Sequence, residues 1–177
     1  MAVSDQLRVQ VGRLAQFACE FCGVQESDAA GELTIDHYRP QSEGGEDVLH
    51  NLLYCCFRCN LYKADDWPSD ESSPKLWNPR EESSDTHWAL LENGELKATS
   101  PTGEFTIRRM RLNRPQLVAY RRRQKMQTEQ KALLKRHREI ARMLDALHRQ
   151  QSELLEEERK LLEEQQNLLS ALLDGRS

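Results

Sequence analysis

Two short sulfur pairs, Cys19-Glu20-Phe21-Cys22 and Cys56-Phe57-Arg58-Cys59, enclose an Asp36-His37 dipeptide, a Gly44-Gly45 pair and Asn51, and Asn60 follows the second pair at once. Two thiolates separated by two residues grip one side of a tetrahedral ion, so two such pairs close a four-sulfur site with no open position for chemistry. A chain built this way must bring residues 19–22 and 56–59 together, and the segment between them becomes a loop closed on the ion. The expected ion is a structural Zn2+ on Cys19, Cys22, Cys56 and Cys59, which leaves any chemistry to other residues. The total of five cysteines is odd, and four of them stand at metal-ligand spacing, which argues against a disulfide framework. Cys55 is left over and reads as a small buried residue beside a ligand.

The rest of the chain does not suit one large core. Of its 177 residues 38% are hydrophobic and 31% charged, with few aromatics. No apolar run approaches the roughly 18 residues of a membrane span, and Met1-Ala2-Val3-Ser4-Asp5 lacks the basic start and apolar stretch of a secretory signal. The expected location is a reducing cytoplasm, without membrane association. The net charge of -4 hides a regional split. Residues 1–63 carry 5 basic and 9 acidic side chains and residues 64–104 carry 3 and 10, but residues 105–149 carry 14 and 3. One cationic segment inside an acidic protein is a signal for polyanion contact.

Local patterns divide the chain into an α+β region and a long helix. Ser4 is placed to cap a helix running to about Gln16, with Leu7, Val11 and Leu14 on one face. Leu33 to Tyr38 reads as a strand, Gly44-Gly45 suits a return loop, and the stretch from Cys59 to about Ala64 reads as the start of a helix. Residues 65–86 are rich in Asp, Glu, Ser and Pro and read as a connector, punctuated by Trp67, Leu76 and Trp77. Asn93-Gly94 predicts a hairpin between Trp88–Leu91 and Glu95–Ala98, and a short helix is expected from about Gly103 to Leu112. His87, His137 and His148 have no matching partners and read as solvent-facing. The expected boundaries are residues 1–66, 67–112 and 113–174.

From Pro115 to Leu173 there is no further proline and no glycine until Gly175, which predicts one helix about 87 Å long at 1.5 Å per residue. Met126, Leu133, Ile140, Leu147, Leu154, Leu161 and Leu168 recur every seven residues, the repeat of a coiled coil. The second seam position is more polar, holding Gln130, His137, Leu144, Gln151, Glu158, Gln165 and Leu172. Even so, seven large apolar side chains at about 1.5–3 kcal/mol each are too much to leave in water. A homodimer or a partner protein through residues 115–173 is expected. The opposed charges of the two helix halves suit an antiparallel pair, whereas a parallel pair brings two active sites together.

Taken in order, Cys19-x-x-Cys22, Asp36-His37-x-x-Pro40-x-Ser42-x-Gly44-Gly45, Asn51-Leu52 and Cys56-x-x-Cys59-Asn60-x-x-Lys63 resemble the HNH endonuclease family. The resemblance implies a small zinc-stapled ββα-metal module, followed here by a hairpin and helix connector and a long C-terminal coiled-coil helix. It implies phosphodiester cleavage, with His37 as general base taking the proton of an attacking water. Asp36 and Asn60 would supply hard oxygen ligands to one catalytic cation, Mg2+ or Mn2+. Asn51 would prop the His37 loop, and Lys63 would contact phosphate. Asn60 stands where the founding pattern has its last histidine, an HNN variant also found in the HNH domains of RNA-guided CRISPR nucleases. The products would carry a 5′ phosphate and a 3′ hydroxyl. Members act in restriction, phage defence, mobile elements and phage packaging, and the residues do not choose among these.

The DNA partner would be drawn by the cationic segment, with Arg114, Arg121, Arg122 and Arg123 near the start of the long helix. The alternative function is a noncatalytic zinc-dependent DNA-binding adaptor that recruits a partner through the coiled coil. Zinc is expected to decide folding, since it contributes on the order of 10–16 kcal/mol against about 3–5 from so small a core.

Overall fold

The computed structural model describes residues 4–29, 31–70 and 72–174, so Met1 to Val3 and Gly175 lie outside the described residues. The first helix, α1, spans Asp5–Leu14; the Ser4 hydroxyl accepts from the Leu7 N–H at 3.3 Å, and Asp5 and Arg13 sit at the ends that favour their charges. Val11 is buried, but Leu14 is 57% exposed. The helix stops short of Gln16 because Gln16 and Phe17 take left-handed backbone angles, with φ of 52° and 53°. That turn redirects the chain toward Cys19, and Phe17 packs edge-on against Tyr54 at 6.3 Å.

Strands β1, Thr34–His37, and β2, Leu52–Cys55, pair antiparallel, with Asp36 opposite Leu53 and His37 opposite Leu52. Every β2 residue is buried, so this strand forms the centre of the core. Directly after it comes α2, Phe57–Lys63, whose N-terminal cap is the Cys56 sulfur accepting from the Cys59 N–H. The elements around Asp36 and His37 are therefore two strands and a helix, in an α+β fold.

The connector is packed rather than extended. Leu76 and Trp77 are buried, and Trp77 meets Phe21 at 6.4 Å and Trp88 at 4.9 Å between ring centroids. Arg80 reaches back to donate to the Leu52 carbonyl at 2.9 Å and to pair with Glu20 at 3.1 Å. Strands β3, Trp88–Leu90, and β4, Leu96–Ala98, form the second hairpin. Its turn glycine, Gly94, has the positive φ of 85° that the Asn93-Gly94 pair anticipates.

The next helix, α3, spans Pro101–Arg109, with Pro101 in its first turn and Ser100 as cap. The last helix, α4, runs from Pro115 to Asp174, as the absence of helix breakers predicts. The chain divides into two compact units, Met1–Lys125 and Met126–Ser177. Leu117 and Tyr120, in the opening turns of α4, are buried in the first unit. In the second unit the heptad leucines are exposed, Leu133 by 69% and Leu161 by 65%. No helix among the described residues is long and apolar enough to cross a membrane.

Candidate active site and metal centre

The sulfur cluster forms because each knuckle is a tight local turn. In the first, the Gly23 N–H donates to the Cys19 carbonyl at 2.7 Å, and Gly23 takes a φ of 74°. In the second, Cys56 starts α2, so Cys59 lies one turn further along. The Sγ atoms of Cys19, Cys22, Cys56 and Cys59 all lie within 4.8 Å of one another. Sulfurs around a tetrahedral zinc, with Zn–S near 2.3 Å, stand about 3.8 Å apart, and the Cys22 and Cys56 sulfurs are 3.7 Å apart. All five cysteines are buried and none forms a disulfide.

Hydrogen bonds from Cys22 first, then from Cys55, Cys56 and Cys59, hold Cys19 well below the ordinary thiol range. Cys55 is pushed the other way by its contact with Cys19 and by burial, as suits a neutral neighbour of a thiolate ligand. The cluster fits a structural zinc. Arg114 adds a cation beside it, with Nη2 at 3.9 Å from the Cys59 sulfur. Arg114 also donates to the carbonyls of Met110 and Arg111.

Strand β1 and helix α2 face each other through two pairs of side chains, Thr34 with Asn60 and Asp36 with Lys63. Thr34 and Asp36 share a face of β1, and Asn60 and Lys63 share a face of α2. The Asn60 amide donates to the Thr34 hydroxyl at 3.4 Å, and the Lys63 ammonium stands 3.5 Å from Asp36 Oδ2. That oxygen is buried and accepts no hydrogen bond. Burial pushes the Asp36 carboxyl above the ordinary carboxylate range, opposed by the charge of Lys63. The lysine itself is almost wholly buried, with 1% of its side chain exposed, and it donates to the Ala64 carbonyl. Lys63 thus neutralises Asp36 instead of lying on the helix surface.

His37 closes β1 and turns toward the return loop. Its Nε2 lies 2.6 Å from Asp47 Oδ1, which also accepts from Gln41 Nε2 at 3.0 Å. The hydrogen bond with His37 holds the Asp47 carboxyl below its usual range. Asp47 was missed in the sequence; the available signal was a pair of acids, Glu46 and Asp47, in the return loop just after Gly44-Gly45. Asn51 organises the same loop. Its Oδ1 accepts from the Arg39 N–H at 2.8 Å, and its Nδ2 donates to the carbonyls of Arg39 at 3.1 Å and Glu46 at 3.0 Å. A Cβ on Gly45 would stand 1.9 Å from the Arg39 carbonyl oxygen and 2.9 Å from Asn51 Nδ2, so only glycine fits this crossing.

The arginines separate by environment. Arg121 donates through Nε to the Gly94 carbonyl at 2.7 Å and through Nη2 to Leu112 and Asn113, tying α4 to the second hairpin. Arg122 and Arg123 are exposed. His87, read from the sequence as solvent-facing, is only 12% exposed in its side chain, and its two ring nitrogens contact Ser100 at 2.8 Å and Glu82 at 2.6 Å. The connector supplies Glu82 and the cap of α3 supplies Ser100, brought together on either side of the second hairpin.

Comparison with curated proteins and with solved structures gives no match to the chain. Comparison with protein families gives the model described as HNH endonuclease, over residues 19–66. The matched segment runs from the first zinc-site cysteine through β1, β2 and α2, and it is this part of the chain that is an HNH module.

Proposed function

We propose that this protein is a metal-dependent endonuclease that hydrolyses DNA phosphodiester bonds, with His37 as general base. The observation that carries this is the contact of His37 with Asp47, on an HNH scaffold whose next layer holds Asp36 and Asn60. An ionised carboxylate only accepts, so in a neutral imidazole Nε2 carries the hydrogen and Nδ1 the lone pair. Asp47 then orients the ring while Nδ1 takes the proton of the attacking water. Asn51 keeps the loop that carries Asp47 in register with β1.

Asp36 and Asn60 offer hard oxygen donors, and the buried Asp36 Oδ2 without a hydrogen bond is the kind of atom a cation satisfies. They would hold Mg2+ or Mn2+, whose charge would stabilise the negative charge that develops on the phosphate. The cationic segment, with Arg122 and Arg123 exposed, supports attraction of the DNA backbone. The exposed heptad leucines of α4 support pairing with a second copy or a partner protein.

One observation favours the noncatalytic DNA-binding adaptor: Lys63 already supplies a positive charge to Asp36. Incubating the protein with plasmid and Mg2+ or Mn2+, beside the His37→Ala variant, separates the two. Nicking that depends on His37 supports the endonuclease, and retention of DNA without any cutting supports the adaptor.

A further inference from the structure

The first unit carries an open cleft of about 690 Å³, within the roughly 300–1,000 Å³ range of ligand sites, on the side of α2 away from Asp36. Arg58 and Tyr62, one turn apart on α2, face it, whereas Asn60 and Lys63 face β1. The opposite wall is the junction of α3 and α4. There Arg111 takes a left-handed φ of 48°, which lays its guanidinium over the Tyr62 ring at 5.0 Å. Arg114 lies over the same ring at 5.5 Å, and Arg123 with Tyr120 completes the wall.

Charge in this cleft runs against its surroundings. Four guanidiniums line it within a module whose residues 1–63 are acidic. Its two carboxylates already have partners: Asp28 accepts from the Tyr120 hydroxyl at 3.2 Å, and Glu32 pairs with Arg8 at 3.4 Å. Arg114 is held by backbone carbonyls and the Cys59 sulfur. Among the described residues, Arg58, Arg111 and Arg123 have no carboxylate partner. Planar guanidiniums that line one cleft and outnumber its carboxylates four to two are matched to phosphate oxygens, which accept two parallel hydrogen bonds. Phe57, on the rim, is 70% exposed, a ring face open to a planar ligand.

We propose that this cleft binds a nucleotide unit, with the phosphate on Arg58, Arg111 and Arg123 and the base against Phe57. The unit is either a free nucleotide or one residue of a nucleic-acid strand passing behind α2. The site is separate from the proposed cutting residues, so it stands whether or not His37 cleaves DNA.

The test is equilibrium binding to the full chain without added divalent cation. The probes are ATP by calorimetry and a fluorescein-labelled oligothymidylate by anisotropy, with pyrophosphate as competitor. The variants are Arg58→Gln/Arg111→Asn/Arg123→Gln, in which asparagine tolerates the left-handed position, Phe57→Ala, and Lys97→Gln as an exposed control outside both the cleft and the cationic segment. Retained zinc and circular dichroism establish that each variant is folded.

The triple variant is expected to weaken binding by about tenfold or more, while Lys97→Gln leaves it unchanged. Binding of ATP assigns the cleft to free nucleotides, and binding of the oligonucleotide alone assigns it to a strand. Phe57→Ala should weaken either probe but not pyrophosphate. The proposal is overturned if neither probe binds the wild type with Kd below about 1 mM, if the triple variant binds as well as wild type, or if Phe57→Ala leaves both probes unaffected.

Discussion

The imidazole of His37 is held by Asp47, ten residues downstream, through a 2.6 Å contact between Nε2 and Oδ1. The pair joins the end of β1 to the return loop and fixes which ring nitrogen faces the acid. Asp47→Ala should leave the protein folded with its zinc and lower nicking by up to about 100-fold, the cost of a misplaced catalytic group. Single-turnover cleavage at saturating DNA measures this.

The same pair sets an acid limit. The Asp47 carboxyl is depressed in the fold, so its contribution is present above the unfolded carboxylate pKa of about 3.9 and is lost as pH falls through the lower folded value. Thermal denaturation of wild type and Asp47→Asn across pH 3–7 should show a difference that is steady at neutral pH and shrinks only at the acid end.

Lys63 and Asp36 form a buried couple in which each makes the other tolerable. Asp36→Asn leaves an ammonium that is 1% exposed without its counter-charge, which should cost about 3–5 kcal/mol. Asp36→Asn/Lys63→Met should recover much of that loss. A double-mutant cycle by urea denaturation measures the coupling, and additive single effects would remove the couple from this account.

Zinc should control folding of the first unit. Cys22→Ser or Cys59→Ser, or chelation of the wild type, is expected to yield unfolded or insoluble protein, against a metal contribution on the order of 10–16 kcal/mol. His37→Ala should remain folded with one zinc per chain. Metal analysis beside circular dichroism distinguishes the two outcomes.

Gly45→Ala tests the loop crossing. The added carbon meets the backbone of Arg39 and the amide of Asn51, neither of which is a flexible side-chain end, so overpacking should cost about 1–3 kcal/mol. Nicking should fall with zinc content unchanged, because the knuckles lie outside this loop.

Much of the first unit was legible because the chemistry is local. Cys-x-x-Cys spacing, the Asn93-Gly94 turn, the Ser4 cap and the Pro115 start each depend on a few neighbouring residues, and each stands where the pattern puts it, whereas the helix expected from about Gly103 to Leu112 begins at Pro101 and ends at Arg109. Asp36 and Asn60 were legible as candidates because the HNH pattern orders them along one strand and one helix. Leu14 was misjudged for the opposite reason: its periodicity fits a helix face, but the left-handed turn at Gln16 and Phe17 ends α1 before that face continues.

The sequence by itself determined the sulfur site, the strand–strand–helix order and the long α4, since these follow from spacing, turn chemistry and the absence of helix breakers. Only the tertiary structure decided that Asp47 meets His37, that Lys63 is buried against Asp36, that Arg121 is spent on the second hairpin, and that Trp77 fastens the connector to the knuckle. Each of these depends on which distant backbone approaches a side chain. That is set by closure of loops around the metal and the shared aromatic core, and a one-dimensional pattern carries no record of it.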